Sequence, residues 1–133
     1  MTVNSQVLDY IASEESFLDK SVIIKEGSMG DWMYVILEGR VKIKKQTSRG
    51  LLTIDTLSKG DFIGEMAMLK QGNKTRTASA VADGPVMLGL LDSVRLAKEW
   101  EAQPTRIKKL ISNMIQNLEE ATKKAADMIV ESR

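Results

Sequence analysis

The 133-residue chain contains no cysteine and no histidine. The first absence excludes disulfides and thiol nucleophiles, the second excludes imidazole bases, and together they remove the usual zinc ligands. Charge of one sign is missing too, since 19 Lys and Arg face 18 Asp and Glu for a formal net charge of +1. Such a balance gives no global attraction for nucleic acid or for an acidic membrane. Aromatic residues are scarce at 5%, and none interleaves with the basic residues to stack on bases. No apolar run approaches the roughly 18 residues that span a bilayer, and the opening MTVNSQVLDY lacks the basic-then-apolar order of a secretory signal. The expectation is a single-domain, soluble, cytoplasmic protein whose polar chemistry rests on carboxylates, Lys, Arg and hydroxyls. No paired carboxylate spacing stands out, so the chain is expected not to be an enzyme, and no metal site is expected.

Glycine divides the chain. It punctuates the stretch 21–91 and is absent from 92–133. Between the glycines lie short apolar runs, Ser21–Lys25, Met33–Leu37, Arg40–Lys45 and Leu51–Leu57, which read as strands. In Arg40-Val41-Lys42-Ile43-Lys44 the charges alternate with Val41 and Ile43, the period of a half-buried strand with a solvated basic face. A turn at Glu38-Gly39 would pair Met33–Leu37 with Arg40–Lys45 as a hairpin. Many short antiparallel strands without intervening helices predict a sandwich or jelly roll. Val7, Leu8, Tyr10 and Ile11 suggest a short amphipathic helix, so residues 1–20 are expected to form an N-terminal helical segment.

Residues 92–133 read as helices. Asp92 or Ser93 can cap a helix bearing Val94, Leu96, Ala97 and Trp100, and Pro104 marks its end and can open the next. From there Ile107, Ile111, Met114, Leu118, Ala121, Ala125 and Met128 recur at alternating spacings of 4 and 3. That is a heptad seam. Leu110, Ile115 and Ile129 widen it, so the helix of residues 105–131 could pack on its own domain or on a second copy.

The chemistry concentrates in Gly60-Asp61-Phe62-Ile63-Gly64-Glu65-Met66-Ala67-Met68-Leu69, with Arg76-Thr77-Ala78-Ser79-Ala80-Val81-Ala82 downstream. Gly64 frees the backbone just before the helix-forming run Glu65–Lys70. The N–H groups of such a terminus, with Arg76 as a planar fork of donors, suit a phosphate. Glu65 would repel a bare anion. A carboxylate there makes sense if it accepts hydroxyls beside the phosphate, so a sugar phosphate fits better than phosphate alone.

At these residues the chain resembles the cyclic-nucleotide-binding domain family, found in bacterial catabolite-activator-type regulators, nucleotide-gated channels and kinase regulatory subunits. Phe-Ile-Gly-Glu-Met-Ala-Met-Leu with Arg-Thr-Ala is similar to the family's phosphate-binding cassette, placed here at 60–82. The run from Glu26 to Val41, Glu-Gly-Ser-Met-Gly-Asp-Trp-Met-Tyr-Val-Ile-Leu-Glu-Gly-Arg-Val, looks like its glycine-framed strands. The likeness extends from about Phe17 to about Leu118. It implies an α+β, mainly β fold: an antiparallel jelly roll over 21–91, a short N-terminal helix, and a hinge helix plus lid helix over 92–133. It implies that Glu65 accepts the ribose 2′-hydroxyl and Arg76 pairs with the cyclic phosphate. Backbone groups of Gly64, Met66 and Ala67 would line the cassette, Thr77 would touch phosphate or base, and Ala78 would allow close approach. Ile54, Leu57, Phe62 and Ile63 would wall the base. Counting from Pro104 puts Asn117, Ala121 and Thr122 on the lid.

The chain departs from the family pattern in the loop Lys70–Thr75, which is slightly long and carries Thr75 where many members have proline. The chain is expected to carry no DNA-reading helix-turn-helix domain. The resulting expectation is a non-enzymatic regulatory sensor, bacterial in appearance, whose ligand is cAMP in preference to cGMP and which has no cofactor. It would signal to an effector protein through its C-terminal helix, with a homodimer through 105–131 as one option. The alternative is a degenerate jelly-roll dimerisation module that binds no nucleotide, in which Arg76 pairs with Glu65.

Overall fold

The computed structural model describes residues 5–30, 32–64 and 75–131. Helix α1 (Ser5–Leu8) is followed by strands β1 (Ile11–Phe17), β2 (Val22–Ile24), β3 (Tyr34–Thr47), β4 (Gly50–Leu57), β5 (Phe62–Ile63) and β6 (Ser79–Leu91), and then by helices α2 (Ser93–Glu101) and α3 (Thr105–Glu131). The fold is mostly antiparallel β with a few helices, and its sheet is open, in the order β1-β6-β3-β4 with β2 on β6 and β5 on β3.

Two sequence expectations change. The expected helical segment over 1–20 is not found: among the described residues the helix covers only Ser5–Leu8, and β1 pairs along β6 from Ile11 opposite Leu91 to Phe17 opposite Val86. A strand distant in sequence supplies the hydrogen bonds, which local periodicity cannot register. Nor do Met33–Leu37 and Arg40–Lys45 form a hairpin. Tyr34–Leu37 and Arg40–Lys45 lie in the single strand β3, and both halves pair with β6, from Tyr34 opposite Leu90 to Lys44 opposite Ser79. The register shifts on either side of Glu38. Gly39 sits there at φ +95°, where a Cβ would lie 2.5 Å from Pro85 O. The glycine thus makes a bulge that bends a continuing strand, a role that looks the same as a turn in sequence.

The core follows the period-2 pattern. Val35, Ile36, Val41 and Leu88 from the two long strands are fully buried, and Phe17 meets Tyr34 edge-on with ring centroids 6.2 Å apart. The Tyr34 hydroxyl donates to Glu15 at 2.9 Å. Burial first, then that carboxylate, push the Tyr34 phenol up from 10.0 to about 12.

Asp92 caps α2, its side chain accepting from Arg95 N. Tyr10 fastens this helix to the N-terminal segment: its hydroxyl donates to Glu99 and the Arg95 guanidinium lies 4.4 Å over its ring. The Glu99 contact raises the Tyr10 pKa. Pro104 then opens α3, accepting from Lys108 N at 3.1 Å.

The face that α3 buries is not the heptad seam. Ile115 and Ala126 are buried, and Ser112, Glu119, Thr122 and Ile129 are half-buried with them, each 3 or 4 residues from the next. Ile107, Met114, Leu118 and Met128 of the seam are exposed. The helix packs on β3 and β4 through a mixed face rotated by about one residue, some 100°. No helix among the described residues is long and apolar enough to cross a membrane.

Candidate functional site

A cavity of about 470 Å³ opens between the sheet and α3. Its wall is mostly apolar, formed by Ile24, Ile43, Ile54, Leu57, Phe62, Ile63 and Ala80 with Asp55 and Asp61 beside them. One end is the segment 75–79 with Gly64, and α3 contributes Glu119, Thr122 and Ala125. The fold thus brings Gly64, Arg76, Thr77, Ala78, Ile54, Leu57, Phe62 and Ile63 to one space although they span 25 positions of sequence. Glu65, Met66 and Ala67 lie outside the described residues.

Arg76 is positioned first by its backbone. Its N–H donates to Ser28 O at 2.8 Å and its carbonyl accepts from Gly27 N at 2.9 Å. Met29 bridges Thr75, and Glu26 N donates to the buried Ser79 Oγ at 2.8 Å. Lys45 adds a brace, donating from Nζ to both Glu26 Oε2 and Thr77 O. The segment that carries the arginine is therefore stitched on one side to residues 26–29 and on the other to β3.

The side chain is only 3% exposed. A cation so deeply placed needs donors satisfied and charge spread, or it would destabilise the fold. Nη1 donates to Gly64 O at 3.0 Å and Nη2 to Trp32 O at 2.6 Å. The Trp32 ring covers the guanidinium, centroid to Cζ 4.8 Å. Gly64, at φ +86°, makes room: a Cβ there would lie 2.6 Å from Nη1 and 3.0 Å from Trp32 O. The arrangement places a planar cation at one end of an apolar cavity, which suits a small molecule with one anionic part and one flat apolar part.

Of the lid residues counted from Pro104, Thr122 reaches the cavity, its hydroxyl donating back to Leu118 O. Asn117 and Ala121 are exposed, and Glu119 and Ala125 stand at the cavity instead. Packing on β3 and β4 sets which side of the helix turns to the cavity. Sequence reasoning also missed Trp32, Lys45 and Glu26. The signal for Trp32 was an indole between Gly30 and the first core strand, a bulky residue where the pattern demanded none. Among the described residues no cluster of acidic side chains could hold a metal ion.

An open antiparallel jelly roll with a helix over an apolar pocket and an arginine at its far end is a small-ligand-binding domain. This chain belongs to the cyclic nucleotide-binding domain family, whose model matches residues 14–102. It is 31% identical over 137 aligned positions, 96% of this chain, to the cAMP/cGMP-dependent 3′,5′-cAMP/cGMP phosphodiesterase B of Dictyostelium discoideum, and spans 11% of that protein. A cyclic nucleotide-binding domain from Methylobacillus flagellatus is 26% identical, with a TM-score of 0.66 over 96% of this chain and 71% of the other. The cGMP-bound form of the EAL enzyme Bd1971 is 26% identical, with a TM-score of 0.71 over 88% of this chain and 31% of the other. Its cAMP-bound form, at 23% identity, shares the fold with a TM-score of 0.76 over 90% of this chain and 31% of the other.

Proposed function

We propose that this domain is a non-enzymatic sensor that binds a 3′,5′-cyclic nucleotide, cAMP in preference to cGMP, and signals through movement of α3. The observation that carries the reading is Arg76, a cation 3% exposed that lines the cavity and is held by two carbonyls and a ring. In this reading the guanidinium meets the cyclic phosphate, Gly64, Met66 and Ala67 line it with backbone groups, and Glu65 accepts the ribose hydroxyl. Thr77 and Ala78 flank the phosphate, while Ile54, Leu57, Phe62 and Ile63 enclose the base. The similarity to a cAMP/cGMP-dependent phosphodiesterase and to a cGMP-bound domain supports the ligand class. Helix α3 contributes Glu119, Thr122 and Ala125 to the cavity, so a ligand that contacts them shifts the helix between two placements and changes what it offers an effector protein. A cytoplasmic location fits a sensor of this kind.

Calorimetric titration with cAMP, cGMP and 5′-AMP tests the proposal. Saturable heat with the cyclic ligands and none with 5′-AMP is expected, with cAMP the tighter of the two. No heat with either cyclic ligand, from protein verified as folded and nucleotide-free, overturns the sensor. A reversed order overturns only the base preference. Arg76→Lys, which keeps the charge but loses the fork, weakens binding, and thermal unfolding of the variant separates that loss from any loss of the fold.

A second reading concerns assembly, and one observation favours it. The exposed side of α3 carries Ile107, Leu110, Met114, Leu118 and Met128, a stripe with the spacing of a helix–helix seam. We propose a second copy of this chain as its occupant, because a heptad stripe is complementary to itself about a two-fold axis.

A further inference from the structure

Trp32 touches Arg76 twice. Its carbonyl accepts from Nη2 at 2.6 Å, and the guanidinium Cζ lies over its indole ring, 4.8 Å from the centroid. The ring is itself seated from behind: a Cβ at Gly30 would fall 2.1 Å from Cζ3 and 2.5 Å from Cη2 of the indole, so only glycine lets the ring lie down there. On the far side Gly64 gives up the same volume to Nη1. Two glycines, an indole and a guanidinium thus form a stack at the end of the cavity. The indole remains 38% exposed. An exposed tryptophan contributes less to the core than a buried one, yet the chain keeps its largest side chain at this position.

The physical effect is on orientation. A guanidinium binds a phosphate well only when its plane and edge are aligned with two oxygens. The carbonyls of Gly64 and Trp32 fix the fork within its plane, and the ring fixes the tilt of that plane. A cation set before the ligand arrives loses little further freedom on binding. Lysine gains nothing comparable from such a platform, since it has no plane to set.

We infer that Trp32 is a positioning residue for Arg76, an aromatic platform that orients the guanidinium toward the phosphate of the bound ligand and whose emission reports its arrival. The inference rests on the cyclic nucleotide reading above. It adds a residue that touches no ligand and acts through the arginine.

The test compares Trp32→Leu, which keeps bulk without the π face, with Trp32→Phe, which keeps the face. Both are titrated with cAMP and, at millimolar concentration, with adenosine, which lacks the phosphate; thermal unfolding verifies the fold. Trp32→Leu is expected to bind cAMP about tenfold more weakly, with adenosine unchanged, and Trp32→Phe to recover most of the loss. In a Trp100→Phe background, where the only indole left is the one on Arg76, saturating cAMP changes the emission and adenosine does not. Equal weakening for both ligands, no rescue by phenylalanine, or an emission indifferent to bound cAMP overturns the platform. Unchanged cAMP binding by Trp32→Leu does the same and leaves the sensor intact. Absence of binding by the unmodified protein removes the sensor reading and this inference with it, so the two failures are read from different samples. Should Trp32→Leu not fold, the emission of the Trp100→Phe protein decides alone.

Discussion

Replacing Gly64 by alanine, with Gly27 as its matched control, separates backbone strain from damage to the site. Both glycines have positive φ, +86° and +83°. An alanine at either carries the left-handed penalty of about 1–2 kcal/mol. At Gly27 the new methyl meets nothing within 4 Å, and the Gly27 N–H bond to Arg76 O is retained. At Gly64 it lies 2.6 Å from Arg76 Nη1, 3.0 Å from Trp32 O and 3.1 Å from Ile24 Cδ1. Two of those neighbours are backbone or core atoms, so the arginine must give way, and overpacking of this kind adds about 1–3 kcal/mol. Gly27→Ala should therefore cost about 1–2 kcal/mol and Gly64→Ala about 2–5 kcal/mol. At about 3–5 °C of Tm per kcal/mol for a domain of this size, urea or thermal unfolding resolves the difference. Displacement of the guanidinium should also weaken cAMP binding in Gly64→Ala and leave it unchanged in Gly27→Ala. Equal losses of stability with equal ligand affinity would refute the claim that Gly64 is glycine for the sake of Arg76.

The remaining tests address the core and the helix. The Tyr34 pKa is raised from 10.0 to about 12 in the fold, so between those values the folded state holds a proton that the unfolded state has lost. Stability should be fully present below pH 10 and fall as pH rises from there toward about 12, and Tyr34→Phe should flatten that part of the profile in urea titrations. On α3, Ile115→Ala should cost about 2–4 kcal/mol because Ile115 is 7% exposed, whereas Met114→Ala, at 55% exposed, should stay within about 0.5 kcal/mol. Met114→Lys with Leu118→Lys should abolish self-association in sedimentation velocity while leaving a folded monomer whose melting temperature no longer depends on concentration; a dimer that survives both changes contradicts the second-copy assignment of the stripe.

The site and the fold were legible in the sequence to different depths, and the reason is the range of the interactions. Local signals gave what depends on neighbours: the cap at Asp92, the break at Pro104, the period-2 burial of Val41, and the glycine before the arginine segment. What the sequence left undetermined depended on distant partners. Residues 11–17 became a strand because β6 was there to receive them, and Gly39 became a bulge because one strand, β6, pairs with both sides of it. The face that α3 buries was decided by β3 and β4, which accept Ile115, Glu119 and Thr122 in place of the more apolar seam. Trp32 became the partner of Arg76 across 44 positions of chain. By itself the sequence determined an antiparallel jelly roll, its C-terminal helices and the arginine segment. Only the tertiary structure decided the rotation of the helix and the surroundings of the arginine, because a side chain's burial and a cation's plane are set by atoms that no local window contains.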